Sequence, residues 1–362
     1  MATIEKHGSG YRARINVKVD GKYKRINKSG FKTKSMAKSW VIEQEALMAK
    51  GVNVESKRML FSDYYDQWYK RYKTDTSSAT RRWYERTSDI IDEYSPGVTL
   101  NELTRPVMQD MFNELGRHYS IETTNKIKSH VKQCIQNAIY DEIIYKDPTN
   151  GLIITGKGGK SKQLKFLEEH QMKSLIKHIQ TILLETRSIS DEMILTALNT
   201  GARYEEIAAL TWNDLEGNSI SINKAWEEKD KLIKDTKTEA SNRIVDVPTD
   251  FITELTTWHP EHRQTDFIFS ENGYVPISSR AVNKQLTRDL KAIHSPKMIT
   301  FHGLRHTHAS WLISKGIDIQ YVSERLGHAS VSMTLRVYTH LLGHTRKSET
   351  QKSVQMLNTF NN

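Results

Sequence analysis

A chain of 362 residues with 37% hydrophobic side chains has room for two or three domains, each with its own core. No run approaches the roughly 18 apolar residues of a membrane span, and the N-terminus lacks an apolar secretory core. The single Cys134 excludes an intramolecular disulfide, and the net charge of +10 points to a polyanionic partner, so a soluble protein of a reducing cytoplasm is expected.

The charge is unevenly spread. Residues 1–42 carry eleven Lys/Arg against Glu5 and Asp20, a net +9, which is nearly the whole excess. Within that segment residues 11–19 alternate polar and apolar, as a half-buried strand does, and Asp20-Gly21 is a hairpin turn signal. A second strand over 22–28 and a short third near 30–33 follow. A helix starting at Thr33 or Ser35 then carries Met36, Ala37, Trp40, Val41, Leu47 and Met48 at helical spacing. A three-stranded sheet backed by a helix, with Arg12, Arg14, Lys18, Lys22, Lys24, Arg25 and Lys28 on its strands, is suited to the phosphates of DNA.

Residues 51–58 read as a linker, and from Phe61 to Tyr145 the signal is helical throughout. Phe61, Tyr64, Tyr65, Trp68 and Tyr72 form one stripe; Ala79, Trp83, Ile90, Ile91 and Tyr94 form a second. Thr104 can cap a third helix with Pro106 in its first turn, and the fourth runs from Ser120 to Ile144. Arg81, Arg82, Lys126, Lys128 and Lys132 are this bundle's candidate phosphate contacts. Residues 151–164 are glycine-rich and basic without apolar periodicity, which is the composition of a linker. Their GKGGKS piece lacks the spacing of an NTPase phosphate loop.

The last unit, residues 165–362, opens with helices over 168–184 and 190–200, which Gly201 ends just before Arg203. Glu206, three residues on, shares a helical face with Arg203. Three short strands are expected over 219–226, 231–238 and 242–247, with Lys237 at the tip between the last two and Lys234 as the alternative. Farther on, His302 and Arg305 stand at i and i+3 of one helix, His328 follows Gly327, and Tyr338 lies ten residues beyond, on a helix that Ser330 can cap. Residues 348–360 form a closing amphipathic stretch with Val354, Leu357 and Phe360 on one side. Two arginines, two imidazoles and a phenol gathered at one point suit a phosphodiester: arginines hold the non-bridging oxygens while a tyrosine attacks phosphorus. A zinc site is the competing reading of the histidines, but the region has no cysteine and no HExxH pattern.

The pattern Arg203, Lys237, His302-x-x-Arg305, His328, Tyr338 resembles that of the tyrosine recombinases, particularly integrases of phages and integrative elements. The basic N-terminus is similar, more loosely, to their arm-site-binding domain. The resemblance implies a mainly α, multidomain protein with small sheets: an arm-type domain at 1–57, a helical core-site-binding domain at 58–150, the basic linker, and a catalytic domain with a three-stranded sheet and a C-terminal tail. It implies strand transfer through a 3′-phosphotyrosyl intermediate, with no cofactor and no metal. Arg203 and Arg305 would stabilise the pentavalent phosphorus, Lys237 protonate the leaving 5′-oxygen, His302 help deprotonate Tyr338, and His328 donate to a phosphoryl oxygen. The partners implied are double-stranded DNA at core and arm attachment sites, a homo-tetramer on that DNA, and an excisionase and a host DNA-bending protein as accessory factors. Two alternatives stay open: a type IB topoisomerase, and a non-catalytic DNA-binding regulator on the same fold.

Overall fold

The computed structural model describes residues 2–19, 22–49, 59–158, 166–186, 188–236, 238–259, 263 and 266–358. The chain is mainly helical with small antiparallel sheets, and forms two compact units, Met1–Lys160 and Ser161–Asn362. No helix among the described residues is long and apolar enough to cross a membrane.

At the N-terminus β1 (Thr3–His7), β2 (Gly10–Val19) and β3 (Lys22–Phe31) pair in sequence order, backed by α1 (Lys34–Ala49). Strand alternation turns Ala13, Ile15 and Ile26 into a small core with Ala37 and Val41. The third strand is Thr3–His7, ahead of the other two, and not a separate strand near residue 30. Residues 22–31 run as one strand whose far end, Phe31, still pairs with Tyr11, while Ile4 supplies apolar cover beside the core. Arg14 forms an ion pair with Glu5 at 2.6 Å, and Arg12 contacts both Glu5 and His7. Lys28 instead shares the face of Ala13, its Nζ 5.7 Å from the Phe31 ring and 5.8 Å from Trp40. Arg25 is exposed, and the side chains of Lys18, Lys22 and Lys24 lie outside the described residues.

The bundle comprises α2 (Phe61–Tyr72), α3 (Ser78–Tyr94), α4 (Arg105–His118) and α5 (Ile121–Tyr140). Ser77, Thr104 and Ser120 each accept a backbone N–H of the following first turn, as capping residues do. Phe61, Tyr65, Trp68, Phe112, Leu115, Ile127 and Ile135 fill the interior. Three aromatic positions depart from the expected stripes. Tyr72 is exposed, and Tyr84 is buried against the His130 ring, with centroids 4.3 Å apart. Trp83 lies partly out of the core, with Lys126 Nζ 4.0 Å from its ring centroid. Lys128 donates to the Leu152 carbonyl, whereas Arg81 and Lys132 are exposed. Residues 151–158 stay on the bundle, because the Gln109 side-chain amide both donates to and accepts from the backbone of Ile153.

The second unit holds α6 (Glu169–Glu185), α7 (Ile189–Thr200), α8 (Tyr204–Ala208), β4 (Leu215–Glu216), β5 (Ser219–Ile222), β6 (Lys224–Glu227), β7 (Leu232–Asp235), β8 (Arg243–Asp246) and α9 (Thr249–Trp258). These are followed by α10 (Ser279–Ala292), α11 (Phe301–Ser314), α12 (Ile319–Leu326) and α13 (Val331–Asn358). The stretch expected as one strand over 219–226 divides, with β5 joining the three-stranded sheet β4-β5-β8 and β6 pairing only with β7. Consequently the strands flanking Lys237 do not form a hairpin with each other. Local bonds turn the chain between them instead: Thr236 Oγ1 donates to Thr238 O and Asn242 Oδ1, and the Thr238 and Ser241 hydroxyls meet at 2.9 Å. The tail is likewise not a separate helix. α13 runs unbroken through residue 348, since it contains no proline and a single Gly343 weakens a helix by only about 1 kcal/mol. Val354, Met356 and Leu357 are exposed along it, and Phe360 lies outside the described residues.

Candidate active site

The site starts where α7 stops. Gly201 ends α7 with φ 68°, and a Cβ there would lie 2.6 Å from the His308 ring and 2.8 Å from Leu326. That close approach lets α7 and α11 meet and leaves the Gly201 carbonyl free to accept Arg305 Nη1 at 2.9 Å. Arg305 is 3% exposed, and its Nη2 has no partner among the described residues. Burial, reinforced by Arg203, pushes its guanidinium down to about 9, so it stays charged at neutral pH.

Arg203 caps α8 from the next turn of chain. Its side chain donates to Glu206 Oε1 at 2.6 Å while its backbone N–H reaches Glu206 Oε2 at 2.9 Å. Glu206 is therefore no surface charge: it is 4% exposed. Burial alone would raise its carboxyl, but Arg243 and Arg203 outweigh that and hold it below the ordinary range.

On α11, His302 is exposed, with its ring edge-on to His306 at 4.9 Å between centroids. Asn283 Oδ1 accepts the Phe301 N–H at 2.9 Å and so takes the place of a capping side chain at this helix start. α12 begins at Asp318, whose carboxylate accepts from Gln320 and Tyr321, and ends at Gly327 with φ 67°. His328 follows, its Nδ1 2.7 Å from Thr334 Oγ1; burial first, and Arg305 next, push its imidazole down to about 4.

Tyr338 on α13 is 1% exposed, its ring packed with Ala309, Ile313, Val322 and Leu326. Burial pushes its phenol well above the ordinary value, and Arg305 opposes this. The hydroxyl meets His306 Nδ1 at 2.8 Å. This contact belongs to His306 and not to His302, the residue expected to serve the phenol. Burial holds His306 down to about 4, so its imidazole is neutral and can accept the phenolic hydrogen.

Arg203, His302, Arg305, His328 and Tyr338 thus converge, each within electrostatic reach of Arg305. Lys237 lies outside the described residues, and Lys234 is held by Glu227 at 3.1 Å and Asp230 at 3.7 Å. Sequence reasoning missed His306, although its place at i+4 from His302 put it on the same helical face. His308 stood out in the sequence only as part of the histidine-rich run, and for Arg325 and Arg243 no motif or spacing gave a signal.

Comparison with known proteins bears on the family. A model of the phage integrase family matches residues 165–350, more than half of the chain. The chain belongs to the phage integrase family. An arm DNA-binding domain model matches residues 3–46 of this integrase, and a phage integrase SAM-like domain model matches residues 60–154. The integrase of Staphylococcus phage L54a is 26% identical over 326 residues, covering 79% of this chain and 90% of the relative. The ICEBs1 integrase of Bacillus subtilis is 23% identical over 299 residues, covering 76% and 78%. Among solved structures, the Tn1549 transposon integrase with transposon right-end DNA superposes with a TM-score of 0.67 at 19% identity, over 81% of this chain and 99% of that one. A lambda integrase tetramer on a Holliday junction superposes at 0.60 with 16% identity, over 90% and 95%. This integrase is a tyrosine-type DNA recombinase of mobile elements.

The histidine behind the integrase site shapes its stability. His308 Nδ1 lies 2.7 Å from the Leu198 carbonyl, which can only accept, so that nitrogen carries the proton. Arg325 Nε donates to His308 Nε2 at 3.1 Å, so a second proton would break this bond and set cation against cation. Burial, then Arg325, push His308 down to about 3. Its folded value is below the unfolded one near 6.5, so this contribution is complete above pH 6.5 and is lost as pH falls toward 3. Asp289, whose carboxyl is raised by burial and by Asp191, acts in the opposite direction as pH falls. Comparison with His308→Asn cancels that opposing effect. We expect the stability advantage of the wild type over His308→Asn to shrink by about 2 kcal/mol between pH 7.5 and pH 5 in urea unfolding. An unchanged advantage would contradict the assigned tautomer.

Proposed function

We propose that this integrase cuts and rejoins DNA at specific attachment sites through a 3′-phosphotyrosyl intermediate, with Tyr338 as nucleophile. The observation that carries the reading is the Tyr338–His306 hydrogen bond of 2.8 Å beside Arg305. A phenol ordinarily near 10, and raised further by burial, needs both a base and a nearby cation to attack at neutral pH. His306 takes the proton, and His302, at the exposed edge of the pair, passes it toward solvent. A non-bridging phosphate oxygen satisfies Arg305 Nη2, and Arg203 and His328 complete the donor set around the pentavalent phosphorus. Lys237 protonates the 5′-oxygen as it leaves. The exchange conserves phosphodiester energy, so no nucleotide or metal cofactor enters.

The partner is double-stranded DNA, with the bundle on the core site and the N-terminal sheet on distal arm sites. Four protomers act on two duplexes, as the tetramer of the lambda relative on a Holliday junction suggests. The exposed Val354, Met356 and Leu357 of α13 suit the tail to bridging neighbouring protomers in that assembly. A nicked suicide core-site substrate tests the chemistry, because it traps the protein on DNA. Recombinant joints between two sites separate a recombinase from an enzyme that only relaxes supercoils.

The division of labour has its own test. Residues 1–42 carry nearly all the net charge and none of the proposed catalytic groups. Removing residues 1–57 should abolish arm-site binding and leave core-site cleavage within about threefold. Full-length affinity for arm sites should fall by orders of magnitude between 50 and 200 mM salt. Loss of core-site cleavage in the truncated protein would place the segment in the catalytic unit.

A further inference from the structure

Arg243 has no place in the mechanism above, yet each nitrogen of its guanidinium is engaged between the elements that supply the catalytic groups. It stands at the start of β8, and its side chain is 6% exposed, so it cannot reach a bound duplex. Nη2 donates to Glu206 Oε2 at 2.8 Å, the carboxylate whose other oxygen holds Arg203 at 2.6 Å. Nε donates at 2.7 Å to the Arg325 carbonyl, one of the acceptors that the end of α12 leaves open two residues before Gly327. Nη1 donates at 2.8 Å to the Ser241 carbonyl, at the end of the connection that carries Lys237. Gly327 closes over this group: a Cβ at that position would sit 2.9 Å from Arg243 Nη1 and 3.2 Å from the Ala240 carbonyl. His328 is the next residue.

We infer that Arg243 is the positioning residue of the integrase, a buried fork that sets Arg203, His328 and the Ser241 end of the β7–β8 connection at fixed spacing. A planar guanidinium can span three acceptors in different directions; a lysine ammonium at the same site has one nitrogen and cannot. Glu206 is the shared element, since it balances Arg203 and Arg243 together at 4% exposure. Neutralising Glu206 leaves Arg243 buried without a countercharge, and withdrawing Arg243 frees one Glu206 oxygen; either change loosens the hold on Arg203. Misplacing donors around a phosphorus by about 1 Å can slow transfer by about 100-fold.

The inference rests on the catalytic roles of Arg203, His328 and Tyr338, and the test separates the two. Single-turnover adduct formation on a suicide core site is measured at saturating DNA for the wild type, Tyr338→Phe, Arg243→Lys, Glu206→Gln and the double variant. The rate constant reads positioning, the endpoint reads the folded fraction, and a separate titration reads affinity. We expect Arg243→Lys and Glu206→Gln each to lose about 100-fold in rate, with endpoint within twofold and affinity within threefold. The double variant should be no more than threefold slower than the slower single variant, because both cut one link. An adduct formed by wild type and absent in Tyr338→Phe verifies the catalytic reading on its own. A near-normal Arg243→Lys rate beside it, or independent losses multiplying in the double variant, overturns only the positioning role. If Arg243→Lys lowers the endpoint through misfolding, Glu206→Gln decides: a normal rate there overturns the inference.

Discussion

Tyr338→Phe should bind core-site DNA with wild-type affinity and form no covalent adduct, a rate loss on the order of 10⁴-fold or more. The ring and the hydroxyl do different work. The ring packs with Ala309, Ile313, Val322 and Leu326, and phenylalanine preserves that packing. Among the described residues the hydroxyl's one hydrogen-bond partner is His306, so its removal weakens folding by only about 1 kcal/mol while deleting the nucleophile. The same geometry ranks the two histidines. His306→Ala should slow adduct formation by about 10²-fold or more, as loss of a general base does. His302→Ala, one ring removed from the phenol, should slow it less. An adduct of normal yield from Tyr338→Phe would refute the nucleophile, and a larger effect at His302 than at His306 would reverse the assignment of the base.

Lys237→Ala should be nearly as damaging on ordinary DNA, by about 10² to 10⁴-fold, and should recover most of its rate when sulfur replaces the 5′-bridging oxygen. A thiolate leaves without a proton, so the substrate makes the general acid redundant. Arg203→Ala and Arg305→Ala should recover little on the same substrate, since their work is on the non-bridging oxygens. Lys234 serves as a control, because Glu227 and Asp230 already hold its ammonium. Sulfur rescue of the arginine variants without rescue of Lys237→Ala would exchange these roles.

These experiments address groups that lie far apart in the chain, and the two sources of knowledge about them differ in kind. Helix periodicity, capping residues and the charge run at residues 1–42 are local properties, legible because each depends on neighbours within a few residues. The bundle's stripes, the stop at Gly201 and the pairing of His302 with Arg305 on one helix were all of this sort. So was the pattern of residue types that marks an integrase. Where local signals tie, the sequence could not decide. Residues 219–226 read as one strand but serve two sheets, and residue 348 read as a new helix start inside an unbroken one.

What only the tertiary structure decided is how Arg203 and Arg243, far apart in the chain, share one buried carboxylate. Nothing within a few residues of Arg243 marks it as different from a surface cation in a strand. Its meaning comes from Glu206, 37 positions earlier, and from the carbonyl of Arg325, 82 positions later. The same holds for the phenol, whose partner became His306 because the crossing of α11 and α13 brings Nδ1 and the hydroxyl to 2.8 Å. Local sequence sets which groups exist and which face of a helix carries them. Close packing of α7, α8, α11, α12 and β8, made possible by a bare Gly201 against His308, sets which of those groups touch.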